Sequence, residues 1–247
     1  RTPTASPTST SLPTATRTPA APTLTATVQS SPTPGHHTIY LPFVLNEMCF
    51  KRNVDVALVL DASTTMLRPA PGGRLKLDEA KDAARAFLDG LQLVPDARGR
   101  TDRAAVIWYN DTARTEVALT NDRRALDAAL DRIAPTHGTR INLGLDEGRA
   151  VLVRGTASPP APGVMNNPVL ILLSDGIPNR TTPEEILASA DAIKRRGFAL
   201  YAIGYGEDVN EVLLRQVASG TSRYFFAPGG EELTRIYRTV GGQVVCR

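Results

Sequence analysis

The stretch VDVALVLDASTTM, Val54 to Met66, decides the fold and poses the functional question. From Val56 to Leu60 every residue is apolar, then Asp61 follows, and Ser63, Thr64 and Thr65 come within four positions of it. A short, unbroken apolar run of this kind suits a strand covered on both faces, as in a parallel sheet. The carboxylate and the hydroxyls then fall together at the strand's carboxyl end.

Outward from this stretch, strand and helix patterns alternate between Asn53 and Gln243. LKLDEAKDAARAFLDGL places Leu77, Ala80, Ala84, Phe87, Leu88 and Leu91 at helical spacing, with Gly90 near its end. RAAVIWYN and the shorter, alternating RTEVALT are two strands. A helix capped by Asn121 or Asp122 follows, with Leu126, Leu130 and Ile133 on one face. NLGLDEGRAVLV is another helix, ASPPAPGVMNNP an exposed loop, and VLILLSD the most apolar strand. TTPEEILASADAIKRRG begins with threonine caps, has Pro183 in its first turn and Glu184 and Glu185 at its positive end, and stops at Gly197. ALYAIGYG is a strand, VNEVLLRQVASG a helix, RYFFAP a strand and EELTRIYRTVGG a last helix. The expected class is α/β: one domain with a mainly parallel sheet and helices on both faces. Ligands of such sheets bind outside the carboxyl ends of the strands, where strand order reverses.

Composition separates this domain from what precedes it. Of the first 40 residues, 24 are Ser, Thr or Pro and none is acidic. Such a segment has too little apolar surface to offset its ordering entropy, so residues 1–40 are expected to be an extended linker, solvated or O-glycosylated. Residues 41–52 are a short apolar lead-in. The net charge of +3 depends on that linker: without Arg1 and Arg17, 26 basic residues face 25 acidic ones. A nearly neutral domain lacks the basic face that displaces counterions from nucleic acid, so no nucleic-acid partner is expected. No apolar run approaches the length of a membrane span. The chain opens on Arg rather than on a signal peptide, as expected of a processed product or a piece of something longer. Cys49 and Cys246 bracket the domain. Beside a mucin-like linker they suggest an oxidising compartment and a disulfide closing a loop of about 200 residues, worth roughly 4 to 5 kcal/mol in the chain-entropy model; free thiols are the alternative.

Asp61, Ser63 and Thr65 at the end of the first strand, Thr139 in PTHGTRINLG and Asp175 at the end of VLILLSD are expected to converge on one rim. In the turn leaving a strand, positions one, three and five can face one point. Three hydroxyls and two carboxylates form an all-oxygen set suited to a hard cation such as Mg²⁺, Ca²⁺ or Mn²⁺, and only His137 offers a softer ligand nearby. A cation held by few negative charges stays electron-poor and can accept a further carboxylate from outside.

DASTTM, HGTRIN, LLSDG and YAIGYGEDVNEVLLRQVAS, in that order over nearly all of residues 53 to 240, resemble the von Willebrand factor type A family, and residues 53–243 are taken as the domain. The first three resemble its metal-ion-dependent adhesion site, with Thr65 where the motif has serine. The resemblance implies a Rossmann-like, doubly wound fold. It also implies a non-enzymatic module that binds protein or glycan partners through Mg²⁺ or Mn²⁺, often with an acidic side chain of the partner on the metal. By the same resemblance Ser63, Thr65 and Thr139 are direct ligands, and Asp61 and Asp175 act directly or through water. The loop LRPAPGGR brings Arg68 and Arg74 to the same rim, where they either help receive an acidic ligand or are simply solvated. TIYLPFVLNE, residues 38–47, resembles segments that follow Thr/Pro-rich stalks in secreted proteins of filamentous bacteria, which implies an extracellular or cell-surface bacterial protein. NDT at Asn110 and NRT at Asn179 match the N-glycosylation sequon.

Two rival functions remain. A haloacid dehalogenase-like phosphotransferase also places a nucleophilic aspartate at the end of its first strand. It needs an acid or substitute two residues on, where this chain has Ser63, and a lysine near the site, and no lysine lies between Lys81 and Lys194. The other rival is a structural module of the same fold without metal-dependent adhesion.

Overall fold

The computed structural model describes residues 52–245, so the linker, most of the lead-in and both cysteines lie outside the described residues. The elements in chain order are β1 (Val54–Asp61), α1 (Lys76–Leu88), β2 (Arg103–Tyr109), β3 (Ala113–Thr120), α2 (Arg123–Asp131), α3 (Ile141–Ala157), β4 (Asn167–Ser174), α4 (Pro183–Lys194), β5 (Ala199–Tyr205), α5 (Glu211–Val217), β6 (Tyr224–Ala227) and α6 (Gly230–Val245). A short 3-10 helix, Thr64–Leu67, directly follows β1.

Six strands form one sheet in the order β3-β2-β1-β4-β5-β6. Every pairing is parallel except β2 with β3, which a tight connection makes antiparallel. This is the Rossmann-like, doubly wound α/β arrangement expected from the alternating pattern. Strand order reverses between β1 and β4, which pair from Val54 opposite Asn167 to Leu60 opposite Leu173. The crevice of such a fold opens at this point, and Asp61 and Asp175 stand on its two sides.

All eight residues of β1 are buried. Its even-numbered side chains, Val56, Leu58 and Leu60, enter one core with Phe87 of α1, Leu126 of α2 and Ile236 of α6. Its odd-numbered Ala57 and Val59 enter the other, with Leu145 of α3, Ile186 of α4 and Leu213 of α5. The period-two alternation of a strand thus serves two helical layers at once. Each large side chain buried this way contributes about 1.5–3 kcal/mol. Within the first layer Phe87 meets Tyr237 edge to face, with ring centroids 6.0 Å apart.

Local chemistry sets the helix ends. Asp122 caps α2 by accepting from the backbone N–H groups of Arg124 and Ala125. Thr182 and Glu185 form a reciprocal capping box at the start of α4, with Pro183 in the first turn. α3 extends to Ala157, beyond the apolar pattern that predicts it. Its buried stripe continues through Gly155, a residue with no apolar side chain to mark it.

Candidate metal centre

The turn after β1 gathers its oxygens through its own hydrogen bonds. Asp61 Oδ1 accepts from the Ser63 backbone N–H at 2.8 Å, which folds the chain back so that Ser63 and Thr65 point the same way. Their hydroxyl oxygens are 2.7 Å apart. Thr65 Oγ1 donates to Asp175 Oδ1 at 2.7 Å, and Ser63 Oγ lies 3.4 Å from the same oxygen. Four of the five predicted residues are therefore joined across the β1/β4 crevice. Asp61, Ser63, Thr139 and Asp175 are all buried.

Thr139 stands on the loop before α3. Thr136 N donates to Ala62 O at 2.9 Å and lashes that loop to the first turn. Thr139 is fixed through its backbone: its N–H donates to Asn179 Oδ1 at 3.0 Å, and its carbonyl accepts from Asn179 N at 3.2 Å. Among the described residues no hydrogen bond links its hydroxyl to the other four.

A second set of groups holds the carboxylates in place. Tyr109 OH donates to Asp61 Oδ2 at 3.1 Å and also approaches the Leu173 carbonyl, while Ser174 Oγ reaches Asp61 Oδ2 at 3.3 Å. Full burial and the neighbouring Asp175 charge push the Asp61 carboxyl up to about 6, although its bonds to Ser63 and Tyr109 pull the other way. Burial and the nearby carboxylates raise the Tyr109 phenol as well, so it stays a donor.

Lys76, the first residue of α1, enters the same cluster: its Nζ lies 3.2 Å from Asp175 Oδ2. Sequence pattern alone did not assign it to this cluster, nor Tyr109 and Ser174, and it marked Asn179 only as a sequon. The available signal for Lys76 was a basic residue at the positive end of a helix, where cations are disfavoured. A lysine beside the rim aspartates is one feature the phosphotransferase reading required; position 63, however, is still a serine.

Arg68 and Arg74 both have acidic partners, Asp208 at 3.1 Å and Asp82 at 2.7 Å, and both are more than half exposed. Arg68 lines a cleft of about 270 Å³ next to the cluster, with Lys76, Tyr205 and Pro228 in its other walls. Of the two sequons, Asn110 is 3% exposed and its amide is engaged at both ends, by Thr136 and by Thr112. Asn179 is exposed, with its Oδ1 on Thr139.

The donors fit a hard divalent cation. They are all oxygens, mostly neutral, and both carboxylates among them are buried. Among the described residues there is no group of three or more His, Cys, Asp or Glu side chains placed to hold a metal. No helix among them is long and apolar enough to cross a membrane.

A doubly wound sheet with a hydroxyl-rich aspartate cluster at its switch point defines a class of protein built around a rim site. The chain belongs to the von Willebrand factor type A domain family, whose model matches residues 55–239. No curated protein sequence matches it. Among solved structures it is similar to proximal thread matrix protein 1 from the mussel byssus, in a form with a zinc-occupied MIDAS motif, where MIDAS denotes the metal-ion-dependent adhesion site. That likeness has 22% identity and a TM-score of 0.60, covering 78% of this chain and 46% of that one. It is also similar to the vWF domain of the type V pili tip protein Mfa5 from Porphyromonas gingivalis, at 14% identity and TM-score 0.64, covering 80% and 97%. The pilus adhesin SpaC from Lactobacillus rhamnosus GG matches at 16% identity and TM-score 0.64, covering 78% and 31%. The chain spans under half of the mussel protein and under a third of SpaC. At these identities the likeness is one of fold.

Proposed function

We propose that this chain is a non-enzymatic binding module of an extracellular or cell-surface bacterial protein. It recognises its partner through a divalent cation, Mg²⁺ by preference, with Mn²⁺ or Ca²⁺ as substitutes. Ser63, Thr65 and Thr139 would hold the ion directly, and Asp61 and Asp175 directly or through water. The observation that carries this reading is the meeting of the Ser63 and Thr65 hydroxyls at one oxygen of Asp175, between the two strands where sheet order reverses. When bound, the ion supplies an electron-poor coordination position that takes an acidic group from a protein or glycan.

The chain's own residues prepare that position. The Asp61 bond to Ser63 N orients both hydroxyls, Tyr109 and Ser174 hold Asp61 from behind, and Asn179 fixes the backbone of Thr139. Adhesive and pilus-tip proteins among the structural neighbours support the extracellular reading, as does the Ser/Thr/Pro-rich segment ahead of the domain. A structural module of the same fold is the second reading. It draws on the Lys76–Asp175 ion pair, which ties the rim together without any metal.

The test is thermal unfolding of chelator-treated protein titrated with Mg²⁺, Mn²⁺ and Ca²⁺, beside an Asp61→Ala, Ser63→Ala double variant. A rise in midpoint with ion concentration that the variant loses is expected, because an ion at free concentration c that binds only the folded state stabilises it by RT ln(1 + c/Kd). No rise with any ion would leave the fold intact and remove the metal-dependent function.

A further inference from the structure

The oxygen cluster already contains a cation of its own. The Lys76 side chain is 9% exposed and its ammonium faces Asp175 Oδ2, while the two hydroxyls meet the other oxygen, Oδ1, of the same carboxylate. The slot that admits it is specific. Gly206, at φ +86°, turns the chain after β5, and a Cβ there would lie 2.8 Å from Nζ. The Tyr205 ring centroid is 5.9 Å from Nζ on the same side. The other charged groups around Lys76 are already engaged or stand farther out. Glu79 accepts from Tyr205 OH at 2.5 Å, Asp208 pairs with Arg68, and Glu207 lines the cleft mouth. The first position of a helix disfavours a cation, so this placement is sustained by the carboxylate it meets.

The charge count of the rim follows. Two buried carboxylates and one buried ammonium sum to −1, where two carboxylates alone would sum to −2. A divalent ion then leaves the site at +1, and one carboxylate from a partner brings it to neutrality. We propose that Lys76 is a resident counter-ion that weakens the site's hold on the bare cation and makes cation and anionic ligand bind cooperatively. This rests on the metal-binding reading above and deepens it: the ligand class is a monoanionic carboxylate, and Lys76 sets how strongly that ligand and the metal depend on each other. Coupling of this kind is reciprocal, so the ligand raises metal affinity by the same factor that the metal raises ligand affinity.

The experiment is calorimetric titration of the chelator-treated chain with Mn²⁺, with and without acetate as the carboxylate probe. It compares the parent, Lys76→Met and Lys76→Gln; the glutamine keeps a donor toward Asp175 without the charge, should the methionine variant fail to fold. Both variants are expected to bind Mn²⁺ about tenfold or more tightly than the parent in the absence of acetate, since a positive charge a few ångströms away is removed from a low-dielectric site. Acetate is expected to tighten Mn²⁺ binding in the parent and to do so less in the variants. Equal Mn²⁺ affinity in parent and variants overturns the inference and leaves the metal reading standing. Absence of Mn²⁺ binding in all three removes both.

Discussion

Asp61 and Glu116 are both carboxylates shielded from water, and their surroundings push them in opposite directions. Asp61, fully buried and facing Asp175, is raised to about 6. Glu116 on β3 has a side chain 9% exposed, yet it is held below the usual glutamate value, first by the hydrogen bond from Arg132 at 2.6 Å and then by Trp108 Nε1 and Arg114. At Asp61, burial first and the second carboxylate next oppose the anion, whereas at Glu116 a bonded guanidinium favours it. A lowered folded-state value adds stability above the unfolded value near 4.5, and this stability is lost as pH falls through the still lower folded value. Glu116→Gln is therefore expected to cost about 1 kcal/mol at pH 7, with the difference from the parent shrinking below about pH 4.5. Urea unfolding of both proteins at several pH values checks this; a gap that widened in acid would contradict it. Asp61, Ser63, Thr65 and Asp175 could be read as a candidate set because they fall at strand ends with short spacing, although singly each could equally be a cap or turn residue. Lys76 and Tyr109 could not be read this way, because their roles depend on contacts with residues 99 and 48 positions away.

At the scale of elements, α3 lies close against the sheet because small residues line its inner side. An added Cβ at Gly144 would meet Tyr109 Cδ1 at 2.7 Å and Val59 Cγ1 at 2.9 Å, and one at Gly148 would meet Leu170 Cδ1 at 2.6 Å. Tyr109 is the residue whose hydroxyl reaches Asp61. Gly144→Ala thus pushes on a ring that supports Asp61 of the proposed metal site. It is expected to lower stability by about 1–3 kcal/mol, as overpacking does, and to weaken the metal-induced rise in midpoint. Gly242→Ala on α6, where an added Cβ has no neighbour within 4 Å, serves as the control and should leave both measurements nearly unchanged. Periodicity marked every helix and strand of the domain. It could not mark the glycine stripe as a contact surface, because absence of a side chain carries no hydropathy signal. It also missed the 3-10 turn at Thr64–Leu67, which is too short to have a period.

At the scale of the whole domain, the ends of the described residues meet: Arg52 N donates to Val245 O at 3.1 Å. Cys49 lies three residues before one of these positions and Cys246 one residue after the other. Both cysteines lie outside the described residues, and the Cys49–Cys246 disulfide is a proposal that thiol chemistry can test. Oxidised protein is expected to resist thiol alkylation until reduced, and reduction should lower thermal stability by about 4 kcal/mol. Full alkylation of both cysteines without reductant would rule the bridge out.

The sequence by itself determined the layered α/β architecture, the order of its elements and the strand ends that carry the candidate site residues. These follow from apolar periodicity, caps and strand-end residues, all local along the chain. Only the tertiary structure decided which oxygens touch: Asp175 joins Ser63 and Thr65 from more than a hundred residues away, and Thr139 is held by Asn179 rather than by the cluster. It also decided that a lysine from the start of α1 shares the rim. Pairing across the β1/β4 crevice depends on strand order and close packing, and no spacing along the chain encodes either.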